Sequence, residues 1–366
     1  MVASLAVALL LGQQIQLPQG ADGRELVLKS ADQGKELLLL VARLKRLEEP
    51  KKSPINAWEF EYLTAGYTRE TENENYNIRI RVFNQFRPSE KDPTDFAARV
   101  LLRLWDFNRW RLWSDHQQRL HMRTVDVYLC FGGSPGAEQK FLEDPFQADV
   151  SGNAPFVSNI YVYAVSSLTD RLEFLRELAH EYGHATWPPL GGYTKPEQWA
   201  NGDMGERVFL MWLLKEVEAG RLTPADTMEV ALHDLRSYYR SRVLPDLKRV
   251  AMKGPDLQVL RQNDEKSYAE LLGLTSYLAA VMPYRMFGRV LFLNATGTAE
   301  GLYKSALEAA MEKEEWAVRV PDGLAGQAIW VPMTKGSVKG AKELQRRGDW
   351  VKIQPTASEV VVLNED

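Results

Sequence analysis

A single cysteine in 366 residues, Cys130, leaves no partner for an intrachain disulfide and excludes a cysteine-rich zinc site. It lies in an apolar run and is expected to be a small buried hydrophobe. Positive charge is not in excess: 45 Lys and Arg stand against 49 Asp and Glu, a net charge of −4, so electrostatics give no reason to expect a nucleic-acid partner. Long apolar runs are missing too. Leu271 to Tyr284 is uncharged, but its fourteen residues suit a core helix better than a membrane span. The chain carries no internal repeat, phosphate loop or nucleophile elbow. Histidine is scarce at five, so two of them in a patterned register carry information.

What is present is the composition of a chain that can bury a large core, 45% hydrophobic and 26% charged, arranged as one large domain with subdomains or as two domains. Met1 to Gly12 is apolar and about as long as a signal-peptide core, although it lacks a basic leading segment and a clear small-x-small cleavage site. Residues 1–22 are therefore expected to be signal-peptide-like and the protein secreted or periplasmic. The alternative is an apolar element packed on the domain of a cytoplasmic protein.

Along the chain, Lys35 to Glu49 predicts a helix. Trp58, Phe60 and Tyr62 alternate with Glu59 and Glu61, and Ile78, Ile80 and Val82 alternate with Arg79 and Arg81, which predicts an antiparallel hairpin with glutamates set against arginines. A helix follows from Thr94 to about Trp113, its tryptophans packed inward under snorkelling arginines. His116 and His121, five apart, fall on different helix faces and are expected to be surface or capping residues. Val125 to Phe131 and Ile160 to Val165 predict strands, with a glycine-rich turn at Gly132 to Gly136. Residues 223–314 read as a run of helices. Val318 to Val320, Ala328 to Val331, Trp350 to Ile353 and Val360 to Leu363 read as short strands.

The most informative stretch is His180-Glu181-Tyr182-Gly183-His184. Histidines four apart share one face of a helix, so both imidazoles can reach a single ion, and Glu181 beside the first projects toward the same cavity. Thr169-Asp170 offers an N-cap, Phe174, Leu175, Leu178, Ala179 and Tyr182 recur at helical spacing, and Trp187-Pro188-Pro189 ends the helix. A zinc ion held in this way lowers the pKa of its bound water, and an adjacent carboxylate can accept that water's proton. The chemistry pointed to is amide hydrolysis.

Together with the flanking Leu178, Ala179 and Ala185, this segment resembles the active-site helix of the zincin metallopeptidases. No third histidine occurs between Ala185 and Tyr193, so the resemblance is to the gluzincin branch, in which a glutamate on a following helix completes the site. The carboxylates within reach are Glu197, Asp203 and Glu206. Glu206 opens an apolar helix, Arg207 to Val217, as the gluzincin ligand does, whereas Glu197 and Asp203 fall in a loop-like stretch. Glu206 is the expected ligand and Asp203 its rival. Where thermolysin-like enzymes place an aspartate one turn after that glutamate, this chain has Leu210. The family's oxyanion donor is a downstream tyrosine or histidine, for which Tyr268 and His233 are the candidates. An edge strand ahead of the metal helix pairs with substrate in zincins, which nominates Val157 to Val165, and Gly152-Asn153-Ala154 loosely resembles a backbone-holding segment.

The resemblance implies an α+β zincin-like fold: a mixed sheet and active-site helix in residues 23–190, a helical half in 191–314 and a small β appendage in 315–366. It implies a zinc metallopeptidase, with a peptide or protein substrate, His180, His184 and Glu206 as ligands and Glu181 as general base. Two alternatives stay open: a catalytically silent zinc-stabilised binding or structural protein, and a zinc hydrolase of a non-peptide bond.

Overall fold

A computed structural model describes residues 21–29, 36–53, 55–56, 58–69, 76–85, 93–112, 125–141, 158–223, 227, 229–294, 296–321 and 323–365. The expectations for the N-terminal segment, His116, His121 and Gly152 to Ala154 lie outside them. The chain divides into two compact units. One draws its described residues from Met1–Phe107, Arg119–Thr186 and Gly220–Val230, the other from Asn108–Gln118, Trp187–Ala219 and Ala231–Asp366. Each is α+β.

In the first unit, strands β1 (Ala21–Lys29), β2 (Glu36–Lys52), β3 (Glu59–Arg69), β4 (Tyr76–Asn84), β5 (Val125–Leu129), β6 (Gly136–Phe141) and β7 (Ser158–Tyr163) form a seven-stranded sheet in the order β1-β2-β3-β4-β5-β7-β6. The first four pair antiparallel, β4–β5 and β5–β7 run parallel, and β6 closes the edge antiparallel to β7. Helix α1 (Pro93–Phe107) is the crossover between parallel β4 and β5. Helix α2 (Arg171–Thr186) follows β7 and packs on α1, β6 and β7.

Three expectations are corrected here. The predicted helix at Lys35 to Glu49 is strand β2, hydrogen-bonded to β1 on one side and β3 on the other. An apolar run such as Leu37 to Val41 suits a doubly paired strand as well as a buried helix turn, and periodicity cannot choose between them. The hairpin forms, but its register sets Tyr62 opposite Asn84 and Ala65 opposite Arg81, so the glutamates do not face the arginines. Arg81 instead reaches Asp126 on β5, at 2.6 and 2.8 Å. Val157 to Val165 is not an edge, since β7 lies between β5 and β6. Among the described residues the edge strand is β6, in a stretch whose alternation, Gly-Ala-Glu-Gln-Lys-Phe, is too polar to announce a strand.

One face of this sheet is aromatic. Phe60, Phe83, Tyr128, Tyr161 and Cys130 are buried together, with Tyr128 stacked on Tyr161 at 4.9 Å and on Phe83 at 5.2 Å. Their positions alternate along the strands with Val127, Leu129, Ile160 and Val162, which are equally buried and point to the opposite face. Phe96 of α1 meets Phe174 of α2 at 5.1 Å between ring centres, and the Arg171 guanidinium covers Phe96.

The second unit contains a π-turn (Asn108–Leu112) that continues the chain from α1, so the predicted helix is α-helical to Phe107 and changes there to a π-turn, while Trp113 lies outside the described residues. Helix α3 (Asn201–Glu218) is followed by α4 (Leu232–Tyr238), a second π-turn (Tyr239–Val243) and α5 (Leu244–Lys253). After α6 (Leu257–Leu260) come α7 (Glu265–Val281), α8 (Tyr284–Leu293) and α9 (Ala299–Met311). Asp264 and Ser267 form a reciprocal capping box at the start of α7. Among the described residues the helix expected from Thr223 begins at Leu232. The chain then makes β8 (Glu315–Val318), β9 (Ile329–Pro332), β10 (Ser337–Lys339), β11 (Ala341–Arg347), β12 (Trp350–Pro355) and β13 (Val360–Leu363). These pair as two small antiparallel sheets, β10-β13-β8 and β11-β12-β9. Among the described residues no helix is long and apolar enough to cross a membrane.

Candidate metal centre

Helix α2 starts where the sequence places its cap. Asp170 Oδ1 accepts from the Leu172 and Glu173 amides at 2.8 and 3.2 Å, which satisfies two of the amides a helix N-terminus otherwise leaves open. Phe174, Leu175, Leu178, Ala179 and Tyr182 are buried and hold one side of the helix in the core. His180 and His184 are half-buried one turn apart, with Nε2 atoms 3.1 Å from one another and rings edge-on at 4.7 Å. Two nitrogens each about 2.0–2.1 Å from a single ion at the tetrahedral angle stand roughly 3.3 Å apart, so this pair is already close to the spacing of two zinc ligands. Glu181 is buried at 5% exposure.

The second unit carries the carboxylates. Helix α3 begins earlier than expected, at Asn201, so Asp203 belongs to its first turn and not to a loop. Asp203 and Glu206, three apart, therefore share a face, with carboxylate oxygens within 4.8 Å of one another. Glu206 is buried at 4% exposure, while Glu197 is half-buried in the segment before the helix. Behind them Val208, Phe209, Leu210 and Trp212 are buried, so Leu210 serves packing.

Tyr268 on α7 joins this group, its hydroxyl lying 2.8 Å from Asp203 Oδ2 and 3.3 Å from Glu197 Oε1. Burial, then the charges of Asp203 and Glu197, push the phenol far above its usual pKa, so it stays a hydrogen-bond donor at any ordinary pH. Its single proton is shared between two carboxylates. His233, the other candidate oxyanion donor, is 83% exposed at the start of α4 and pairs with Asp234 at 2.9 Å.

The sequence reading missed the link between Glu197, Asp203 and Tyr268. The only signal available was Asp203 and Glu206 at helical spacing, and it was hidden by the glycines on either side of Asp203, which read as loop. It also missed β6, on which α2 packs. Comparisons with protein-family models, with curated proteins and with solved structures find no match to this chain.

Proposed function

We propose that this chain is a zinc-dependent metallopeptidase of gluzincin type, with His180, His184 and Glu206 as metal ligands and Glu181 as general base. The observation that carries the reading is the convergence of the two imidazole nitrogens to 3.1 Å on a capped helix whose intervening Glu181 is buried. Two imidazoles and a carboxylate are the donor set of a catalytic zinc site, which keeps one position for water. A purely structural site has no use for a buried base between its ligands.

When bound, zinc would supply Lewis-acid polarisation of a carbonyl and a water acidic enough to be deprotonated near neutrality. The protein's own part is to hold the imidazoles in register through the packing of Phe174, Leu178 and Tyr182. Glu181 then takes a proton from the attacking water and returns it to the leaving amine. Strand β6, the edge of the sheet among the described residues and antiparallel to β7, is the strand to which an extended peptide would add by backbone hydrogen bonds. Tyr268 holds Asp203 and Glu197 on the carboxylate side. In this reading Asp203 is a positioning residue and not a ligand.

Elemental analysis of the purified protein tests the proposal. The expectation is one zinc per chain, lost in His184→Ala and weakened in Glu206→Gln. Full zinc affinity in Glu206→Gln would move the third ligand to Asp203, and no zinc even after reconstitution would sink the catalytic reading.

A further inference from the structure

A cleft of about 520 Å³ lies wholly within the second unit, lined by α5, α6, α7 and the end of β11. That is the size of a small-molecule pocket. Val259 and Ala269 are the apolar side chains among its lining residues and no aromatic ring is among them, so charge sets its character. Arg249, Lys253, Lys266 and Arg347 line it against two carboxylates, Asp256 and Glu270. Both carboxylates are engaged. Glu270, its side chain 5% exposed, pairs with Arg249 and accepts from the Asp256 amide at 3.0 Å, and Asp256 Oδ1 accepts from the Gln258 and Val259 amides at 3.0 and 3.2 Å. Arg249 also donates to the Ala269 carbonyl at 2.9 Å.

The other three cations are not used in this way. Among the described residues neither the Lys253 nor the Lys266 ammonium makes a hydrogen bond or an ion pair. Arg347 is fixed in place with donors to spare. Its guanidinium lies 4.7 Å over the Trp330 ring, and Nη2 donates to the Lys253 and Pro255 carbonyls at 2.9 and 3.4 Å, while Nε and Nη1 have no hydrogen-bond partner among the described residues. Trp330 is itself held, its Nε1 donating to the Met252 carbonyl at 3.2 Å. Gly254 makes room for this arrangement, because a Cβ there would collide with Arg347 Nη2 and its φ of 77° favours glycine. A guanidinium held flat by an aromatic ring and two carbonyls, with its Nε and Nη1 hydrogens left over, is a pre-organised fork for an oxyanion.

We propose that this cleft binds a small phosphorylated molecule, its phosphate oxygens on Lys253, Lys266 and Arg347. With Arg249 set against Glu270 and one more cation against Asp256, the lining keeps an excess of positive charge that a monoanion would not match. A phosphate monoester carries about −1.5 to −2 of charge at neutral pH and three strong acceptor oxygens, one for each of the three cationic heads. The scarcity of apolar lining gives a hydrocarbon body nothing to pack on, and the absence of a ring among the lining residues leaves a nucleobase nothing to stack on. The phosphate is therefore the part recognised.

Calorimetric titration of the whole protein with pyrophosphate tests the proposal, with citrate in parallel. Pyrophosphate is expected to bind about tenfold more tightly than citrate and to weaken as salt is raised. The double variant Lys253→Gln/Lys266→Gln, at two exposed side chains, should weaken it by about tenfold or more. Arg347→Lys, which keeps the charge and removes the fork, should weaken it by about fivefold. Lys335→Gln removes the same charge from an exposed lysine outside the cleft and should change nothing. No pyrophosphate binding, or binding that survives the double lysine variant, overturns the site. An equal loss in Lys335→Gln would mean general charge attraction and overturns it too. Undiminished binding in Arg347→Lys overturns the role of the fork, and equal affinity for citrate overturns the choice of phosphate. His184→Ala should leave binding intact, and loss there would place the anion at the imidazole pair instead, so the fate of this proposal is separable from that of the peptidase reading.

Discussion

Tyr268 and Asp203, 65 residues apart in sequence, meet through a 2.8 Å hydrogen bond from phenol to carboxylate. Because Glu197 shares the same hydroxyl, its removal would leave two carboxylates facing one another without the proton between them. Tyr268→Phe is therefore expected to destabilise the protein by about 1.5–3 kcal/mol, the range for hydrogen bonds to charged groups, as measured by urea unfolding. No loss of stability would mean that the two carboxylates are held by other contacts.

In the proposed mechanism Glu181 separates metal binding from chemistry. Glu181→Gln keeps the size and burial of the side chain and removes the base, so zinc content should match the parent while hydrolysis of a broad peptide library falls by about 10²–10⁴-fold. If the variant cleaves peptides as fast as the parent protein, the general base has been misassigned.

The cap of α2 can be tested apart from the metal. Asp170→Ala removes the acceptor of the Leu172 and Glu173 amides and should cost about 1 kcal/mol. Zinc content should be unchanged, because the histidines lie two turns further on, and chemical denaturation with parallel metal analysis reads both effects.

In α1, Arg103 and Asp106 form an ion pair at 3.1 Å with neither side chain exposed. Breaking a buried pair from one side removes a counter-charge from the buried guanidinium, so Asp106→Ala is expected to cost about 3–5 kcal/mol. Replacing both with apolar residues of similar volume should cost much less, and a double-mutant cycle distinguishes the two outcomes.

The aromatic face of the sheet predicts an alkaline transition. Burial pushes the Cys130 thiol from 9.0 up to about 12 and the Tyr161 phenol from 10.0 up to about 12, and it raises Tyr128 as well. All three are neutral acids whose folded pKa lies above the unfolded value. The stability they support is present in full below pH 9 and is lost as pH rises toward 12. Spectrophotometric titration should show these phenols ionising together with unfolding, and smooth ionisation in a protein that stays folded would contradict their burial.

The sequence alone determined the local half of this protein. His180, Glu181 and His184 are bound to one helix by their spacing, Asp170 announces that helix, and Trp187-Pro188-Pro189 ends it, because capping, periodicity and proline chemistry all act over a few residues. The strands of the hairpin and the helical run after residue 231 were legible for the same reason. What only the tertiary structure decided depends on partners far along the chain. Leu37 to Val41 became a strand because β1 and β3 pair on either side of it, and β7 lost the edge because β6 covers it. Asp203 became a helical residue tied to Tyr268. Spacing along a chain reports which side chains share a turn or a face, but hydrogen bonds and burial between distant segments exist only once the backbone has been folded around them.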